Sequence, residues 1–188
     1  MTHDAKRPYR RATETRRHVL DVAARLFYAD GIRAVGIDRL AQEAQVTTAT
    51  LYRLFGSKEG LVAAYLRRAD QEWFDWLEQA VAAGGLAQFF DELDARTREP
   101  CYRGCAFSMA LAEYPSDSEI HSVAVEHKRR VRARLREMVA AASCADPEVT
   151  AEQLMLVMDG MSTSAAECAA GSPPGVGPAL ARRLLGLS

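Results

Sequence analysis

The stretch from Arg16 to Leu61 constrains the fold more than any other part of this chain. Its apolar residues recur with a helical period three times in quick succession. Val19, Leu20, Ala23, Leu26 and Phe27 line one face of a first helix. Ile37, Leu40, Ala41 and Ala44 line a second, and Leu51 and Phe55 face inward from a third. A break at Gln45 and Val46 separates the second from the third. Two helices joined by so short a turn follow the helix-turn-helix plan, in which the second member is offered to the DNA major groove. The outward side of that helix carries Thr47, Thr48, Thr50, Tyr52 and Arg53. Hydroxyls, an aromatic ring and a guanidinium are groups that bond phosphates and base edges.

Residues around the turn have local tasks. Ala41 and Ala44 are small where two helices must cross closely. Thr47 is placed to cap the third helix by accepting a free backbone N–H of its first turn. Ser57 is placed to cap a fourth helix beginning at Lys58, with an incomplete capping box because Gly60 stands where Glu or Gln would close it. Lys58 then sits at a helix N-terminus, beside outward-pointing backbone N–H groups, as a phosphate clamp.

Charge is informative in its distribution. The 188 residues carry a net charge of −1, which argues nothing for nucleic acid. Residues 1–60 hold 11 Lys and Arg against 7 Asp and Glu, and the remainder holds 13 against 18. A basic end on an acidic body is a localised electrostatic footprint. Lys6, Arg7, Arg10 and Arg11 read as a basic arm before the first helix, either of the kind that reaches into a minor groove or a disordered, solubilising tail. The expected DNA contacts are therefore Arg10, Arg11, Arg39, Thr47, Thr48, Ala49, Thr50, Tyr52, Arg53 and Lys58. The four cysteines form no CxxC pair, and reduced thiols are the default expectation. No apolar run approaches the ~18 residues of a membrane helix, and no secretory signal opens the chain. A cytoplasmic location is expected.

After Ser57 the pattern is helical throughout, with no strand period, so the fold class is all-α. One long helix runs from Lys58 to about Val81 and ends at Gly84-Gly85; further helices cover about 86–98, 105–113, 118–143, 150–170 (capped by Thr150) and the C-terminus. The domains expected are 1–60, the DNA-binding part, and 61–188, an effector-binding and dimerisation part. The basic run from His127 to Arg136 interleaves with Val131 and Leu135, so its charges spread around a helix and are expected to be solvated or paired with acidic neighbours. Leu154, Val157, Met161 and Ala165 form one broad apolar face, and Leu180 and Leu184 another, as a helix-bundle interface requires. Trp73, Phe107, Met109, Tyr114, Met155 and Met158 are the candidates for the apolar lining of a ligand pocket, with Glu113 and His127 as its polar contacts, while each of them taken singly reads more strongly as core packing. No metal-spaced ligand set, nucleophile elbow or phosphate loop is present, so neither catalysis nor a cofactor is expected.

The segment carrying Ala23-Ala24-Arg25-Leu26-Phe27, Gly31, Ile37 through Ala41, Ala44, Val46-Thr47, Thr50-Leu51-Tyr52 and Phe55-Gly56-Ser57-Lys58-Glu59 with Leu61 resembles the DNA-binding domain of the tetracycline-repressor (TetR) family. The chain departs from that pattern at the turn, where Gln45 replaces the usual Gly, at Gly36 in place of Thr or Ser, and at Thr48, Arg53 and Leu54 in the third helix. The resemblance implies a homodimer built from the last two helices of each subunit, a palindromic double-stranded DNA operator and a small-molecule effector. The expected function is repression released by a mostly apolar or aromatic effector that moves the fourth helix. The alternatives are a DNA-binding protein without an effector, or an all-helical enzyme.

Overall fold

The computed structural model describes residues 6–100, 102–142, 146–166 and 173–187, the first six of these by backbone alone. All regular structure among them is helical: α1 (Lys6–Asp30), α2 (Ile37–Glu43), α3 (Thr48–Phe55), α4 (Lys58–Thr97), α5 (Ala106–Glu113), α6 (Glu119–Ala141), α7 (Pro147–Ala166) and α8 (Val176–Leu184). None of the described helices is long and apolar enough to cross a membrane. The chain forms two compact units. The first takes in the chain up to Ala69 together with Met109–Val123, and the second takes in Asp70–Ser108 and the chain from Ala124 onward. Residues 61–69 and 109–123 thus pack with the helix-turn-helix.

In the first unit the three periodic faces meet. Val19, Ala23, Leu26 and Phe27 of α1, Leu40 and Ala41 of α2, Leu51 of α3 and Leu61, Val62 and Leu66 of α4 are buried together with Ile32 and Val35 of the α1–α2 connection. Burial of each large side chain contributes about 1.5–3 kcal/mol, which the short helices α2 and α3 need because so few turns are marginal alone.

The second unit has its own core, in which Leu77, Phe89, Phe90, Leu93, Val131, Leu135, Val139, Leu154 and Met155 are all buried. The long helix is interrupted at Gly84 and Gly85, where the sequence places its end, and both helical stretches of α4 supply residues to that core. Gly84 and Gly85 leave helical geometry, Gly85 at φ 71°, and the helix then resumes. The left-handed value at Gly85 is one that a side chain would oppose.

Two boundaries differ from the sequence expectation. Helix α1 begins at Lys6, so Lys6, Arg7, Arg10 and Arg11 are part of a helix and not an arm before it. Helix α7 starts at Pro147 and not at Thr150. Asp146 caps it, its carboxylate accepting from the Val149 N–H at 3.1 Å, and Pro147 fits the first helical position because its missing N–H is not needed there. Thr150 is instead buried. The expected end of that helix near 170 lies outside the described residues.

Candidate nucleic-acid interface

The reading helix is set by its cap and by the turn before it. Gln45 adopts φ 52°, the only positive φ outside glycine among the described residues. The Val46 N–H bonds the Ala41 carbonyl at 3.0 Å, so the chain reverses immediately after α2. Thr47 then caps α3 as expected: its hydroxyl oxygen accepts from the Thr50 N–H at 3.1 Å. The two threonine hydroxyls also bond each other at 2.9 Å. Thr47 and Thr50 are thereby engaged in holding the helix start. Tyr52, Arg53 and Ala49 face solvent, Tyr52 at 49% exposure, and Thr48 is half-buried beside them.

Two α1 side chains fix the opposite helix ends. The Arg16 guanidinium donates to the Leu54 carbonyl at 2.6 Å and lies 4.4 Å from the centre of the Phe55 ring. A cation on an orphan carbonyl at a helix C-terminus is favourable for both bond and dipole. The His18 Nε2–H donates to the Ala44 carbonyl at 3.1 Å, at the end of α2. The sequence reading missed both residues; their only sequence signal is polarity beside the apolar stripe of α1.

Ser57 caps α4, its oxygen accepting from the Gly60 N–H at 2.9 Å. Gly60 breaks the capping box for a steric reason: a Cβ there would come within 2.2 Å of the Phe55 carbonyl oxygen. Lys58 Nζ donates to the Arg33 carbonyl at 3.1 Å. Partial burial holds its pKa below the usual lysine range, with Glu59 and Glu113 opposing that shift. Arg39, expected to meet DNA, pairs with Asp30 at 2.7 Å. The side chains of Arg10 and Arg11 lie outside the described residues.

The basic run of α6 is committed within the second unit, as the sequence pattern suggested. Lys128 bonds Asp159 (2.5 Å), Arg130 bonds Asp70, Arg132 bonds Glu152 (3.3 Å), and Arg134 bonds Glu78 (2.7 Å). Arg136 bonds Glu148 at 2.8 Å.

The eight residues expected to line one effector pocket are distributed over both units. Met109, Glu113 and Tyr114 fall in the first; Trp73, Phe107, His127, Met155 and Met158 fall in the second. Glu113 is not a spare polar group. Its carboxylate accepts from the Ile32 and Arg33 N–H groups at 3.2 and 2.6 Å. Tyr114 lies under the Arg33 guanidinium. His127 is 3% exposed and stacks on Phe107 with ring centres 3.5 Å apart, and the edges of Trp73 and Phe74 close around it. Its Nδ1 lies 2.8 Å from Asp70 Oδ1; the carboxylate can only accept, so Nδ1 carries the proton. Burial pushes its pKa down to about 4 against the pull of Asp70. Met155 and Met158 are buried in the core.

Val157, Met161, Ala165, Leu180 and Leu184, expected at a dimer interface, line a groove of about 970 Å³ between α7, α8 and the end of α4, where Asp94, Thr97, Arg98 and Tyr102 also face it. Leu154 does not join them: it is fully buried in the core of its own unit. Leu156, which the sequence reading passed over, takes its place on the open face at 71% exposure. Helix α7 is apolar on two sides, so periodicity alone did not separate its inner face from its outer one.

A capped, braced short helix with an exposed polar face, presented by a helix-turn-helix, defines a DNA-binding protein of the all-helical regulator class. The pattern described as bacterial regulatory proteins, tetR family, matches residues 19–65. A TetR-family transcriptional regulator from Streptomyces coelicolor is similar over 92% of this chain and 95% of its own, at 31% identity and a TM-score of 0.85. A TetR-type regulator from Streptomyces avermitilis shares 27% identity over 92% of this chain and 96% of its own, with a TM-score of 0.77. A Mycobacterium tuberculosis regulator assigned by name to mycofactocin biosynthesis is 29% identical over 136 residues, 72% of this chain. That match spans 59% of the relative's own length, short of two thirds. The chain belongs to the TetR family of bacterial transcriptional regulators.

Proposed function

We propose that the protein is a homodimeric repressor that reads a palindromic operator and is released by a small, mostly apolar or aromatic effector. The observation that carries the reading is the exposed face of α3. Thr48, Ala49, Tyr52 and Arg53 form its proposed base-reading and phosphate-bonding set, while Thr47 and Thr50 hold the helix start. Lys58, Arg10, Arg11 and Arg39 are proposed phosphate contacts, Arg39 by exchanging its exposed partner Asp30 for the backbone of DNA.

One short reading helix covers few base pairs, and a two-fold dimer doubles the site by placing two such helices a helical turn or a multiple apart. Exposed Leu156 on α7 and Val176 and Leu180 on α8, which line one groove with the half-buried Val157, Met161 and Leu184, support these helices as the dimer face. Contiguous exposed apolar surface of this kind marks an interaction site. The effector site is proposed in the second unit, where Trp73 and Phe107 enclose His127. An effector acts only through its different affinity for the two DNA-binding states, and a coupling of ~1–3 kcal/mol changes DNA affinity ~5–150-fold.

Selection of bound sequences from a random duplex pool tests this reading. It predicts an enriched palindrome, lost when Tyr52 and Thr48 are replaced by Ala in a protein that remains folded and dimeric. Bulk, salt-sensitive binding without enrichment would replace it with the effector-free, architectural reading.

A further inference from the structure

The polar groups of the first unit include one tether that spans eighty residues of sequence. Glu113, the last residue of α5, places both carboxylate oxygens on the N–H groups of Ile32 and Arg33, just after the end of α1. Arg33 answers with a bond from Nη1 to the Glu113 carbonyl at 3.1 Å. The carbonyl of that same Arg33 accepts from Lys58 Nζ. A carboxylate, the two peptide groups that flank the Arg33 Cα and an ammonium therefore stand in series. An ammonium has three donors, and the bond to Arg33 uses one of them, so it aims the group while leaving donors for a phosphate. A lysine stem has four rotatable bonds, and without such an acceptor its charge is spread over many positions. The chain passes from the second compact unit to the first within α5, so Glu113 also stands at the end of the segment that enters the DNA-binding unit.

We propose that Glu113 is a positioning residue for DNA binding: it holds the backbone on the N-terminal side of Arg33, and the Arg33 carbonyl, one peptide further on, orients Lys58 toward a phosphate of the DNA backbone. The inference rests on the reading of Lys58 as a phosphate contact. Glu113 does not itself meet DNA. Its carboxylate repels phosphate, so any support it gives to binding passes through Arg33 and Lys58.

A double-mutant cycle on the intact protein tests it, with affinity for a mixed-sequence duplex measured across a salt series. Lys58→Ala is expected to weaken binding on the order of tenfold, the size of one charge-assisted bond, and to lower the salt slope by about 0.9, the value for one phosphate. Glu113→Ala is expected to weaken binding about threefold or more, and to have no further effect once Lys58 is Ala, because coupled residues are non-additive. Glu113→Gln keeps one acceptor for the Arg33 N–H and is expected to fall between Glu and Ala; it carries the test if the alanine variant unfolds. Thr48→Ala should add fully to either change. An unchanged affinity in Glu113→Ala with a weakened Lys58→Ala overturns the positioning role while sparing the clamp. An undiminished effect of Glu113→Ala in the Lys58→Ala background overturns it too, by showing a general effect on the fold. Unchanged binding in Lys58→Ala removes the clamp and the inference with it.

Discussion

The two compact units hold themselves together in different ways. In the first, several long-range polar bonds end on backbone, Arg16 on the Leu54 carbonyl, His18 on the Ala44 carbonyl, Glu113 on two N–H groups and Lys58 on the Arg33 carbonyl, beside the side-chain pairs of Arg25 with Glu43, Arg67 with Glu119 and Arg68 with Asp21. In the second, they run from side chain to side chain: Lys128 with Asp159, Arg134 with Glu78, Arg182 with Asp91, Arg136 with Glu148 and Glu152. A bond to a peptide fixes the main chain and so the position of a helix. A pair between two side chains leaves the main chain freer, and where both partners are exposed it contributes about 0–1 kcal/mol. The contrast matches the two tasks proposed for the units. A reading helix must hold its register against DNA to within a fraction of a base step, whereas a body that responds to an effector must tolerate rearrangement around a packed aromatic core.

The comparison can be broken at its strongest point first. The body depends on its aromatic core, so Phe89→Ala, at a fully buried position against Trp73, Trp76 and Phe90, is expected to cost about 3–5 kcal/mol in denaturant unfolding. A cost below that of the ion pairs would mean that polar bonds hold the second unit as well.

Next is acid. His127 is neutral in the folded protein, with its pKa lowered to about 4 from 6.5. The unfolded chain therefore binds the extra proton between about pH 6.5 and 4, and stability falls as pH drops through that window and is fully present above it. The loss amounts to a few kcal/mol, since one pKa unit is about 1.4 kcal/mol. Unfolding midpoints measured from pH 7 down to 4 should show the slope, and His127→Phe should flatten it; an equal slope in the variant would place the acid sensitivity elsewhere.

In the first unit a smaller cut should have a more specific result. Thr47→Ala removes the cap of α3 and is expected to cost about 1 kcal/mol of stability together with DNA affinity. Affinity that survives the change would show that the braces from α1 suffice to hold the reading helix. The smallest effect belongs to the body's surface. Arg129→Ala breaks an exposed pair with Glu126, at 73% and 56% side-chain exposure, and is expected to change stability by no more than about 0.5 kcal/mol. It should leave DNA binding unchanged, because α6 is not a DNA-contacting helix in this reading.

Much of the first unit was legible before the structure because its signals are local. The Thr47 and Ser57 caps and the inward faces of the three helices all act within a few residues, and the structure places each of them as expected. The spread of the α6 cations around their helix left them either solvated or paired, and the structure pairs them. The second unit was harder to resolve. Leu154 and Leu156 are two residues apart on a helix apolar on both sides, and nothing local says which is core and which is open face. Trp73, Phe107, Met109 and Tyr114 share one chemistry, which reads as a pocket lining, but the fold assigns them to different units.

The sequence by itself determined the helices, the turn and the polar face of α3, since hydrophobic period and capping depend on neighbours along the chain. Only the tertiary structure decided what the charged side chains do. Glu113 became a brace for a turn eighty residues earlier, Arg39 a partner of Asp30 and His127 a neutral ring against Phe107. A charge takes its role from whatever lies within hydrogen-bond reach, and that distance is set by packing, not by separation along the chain.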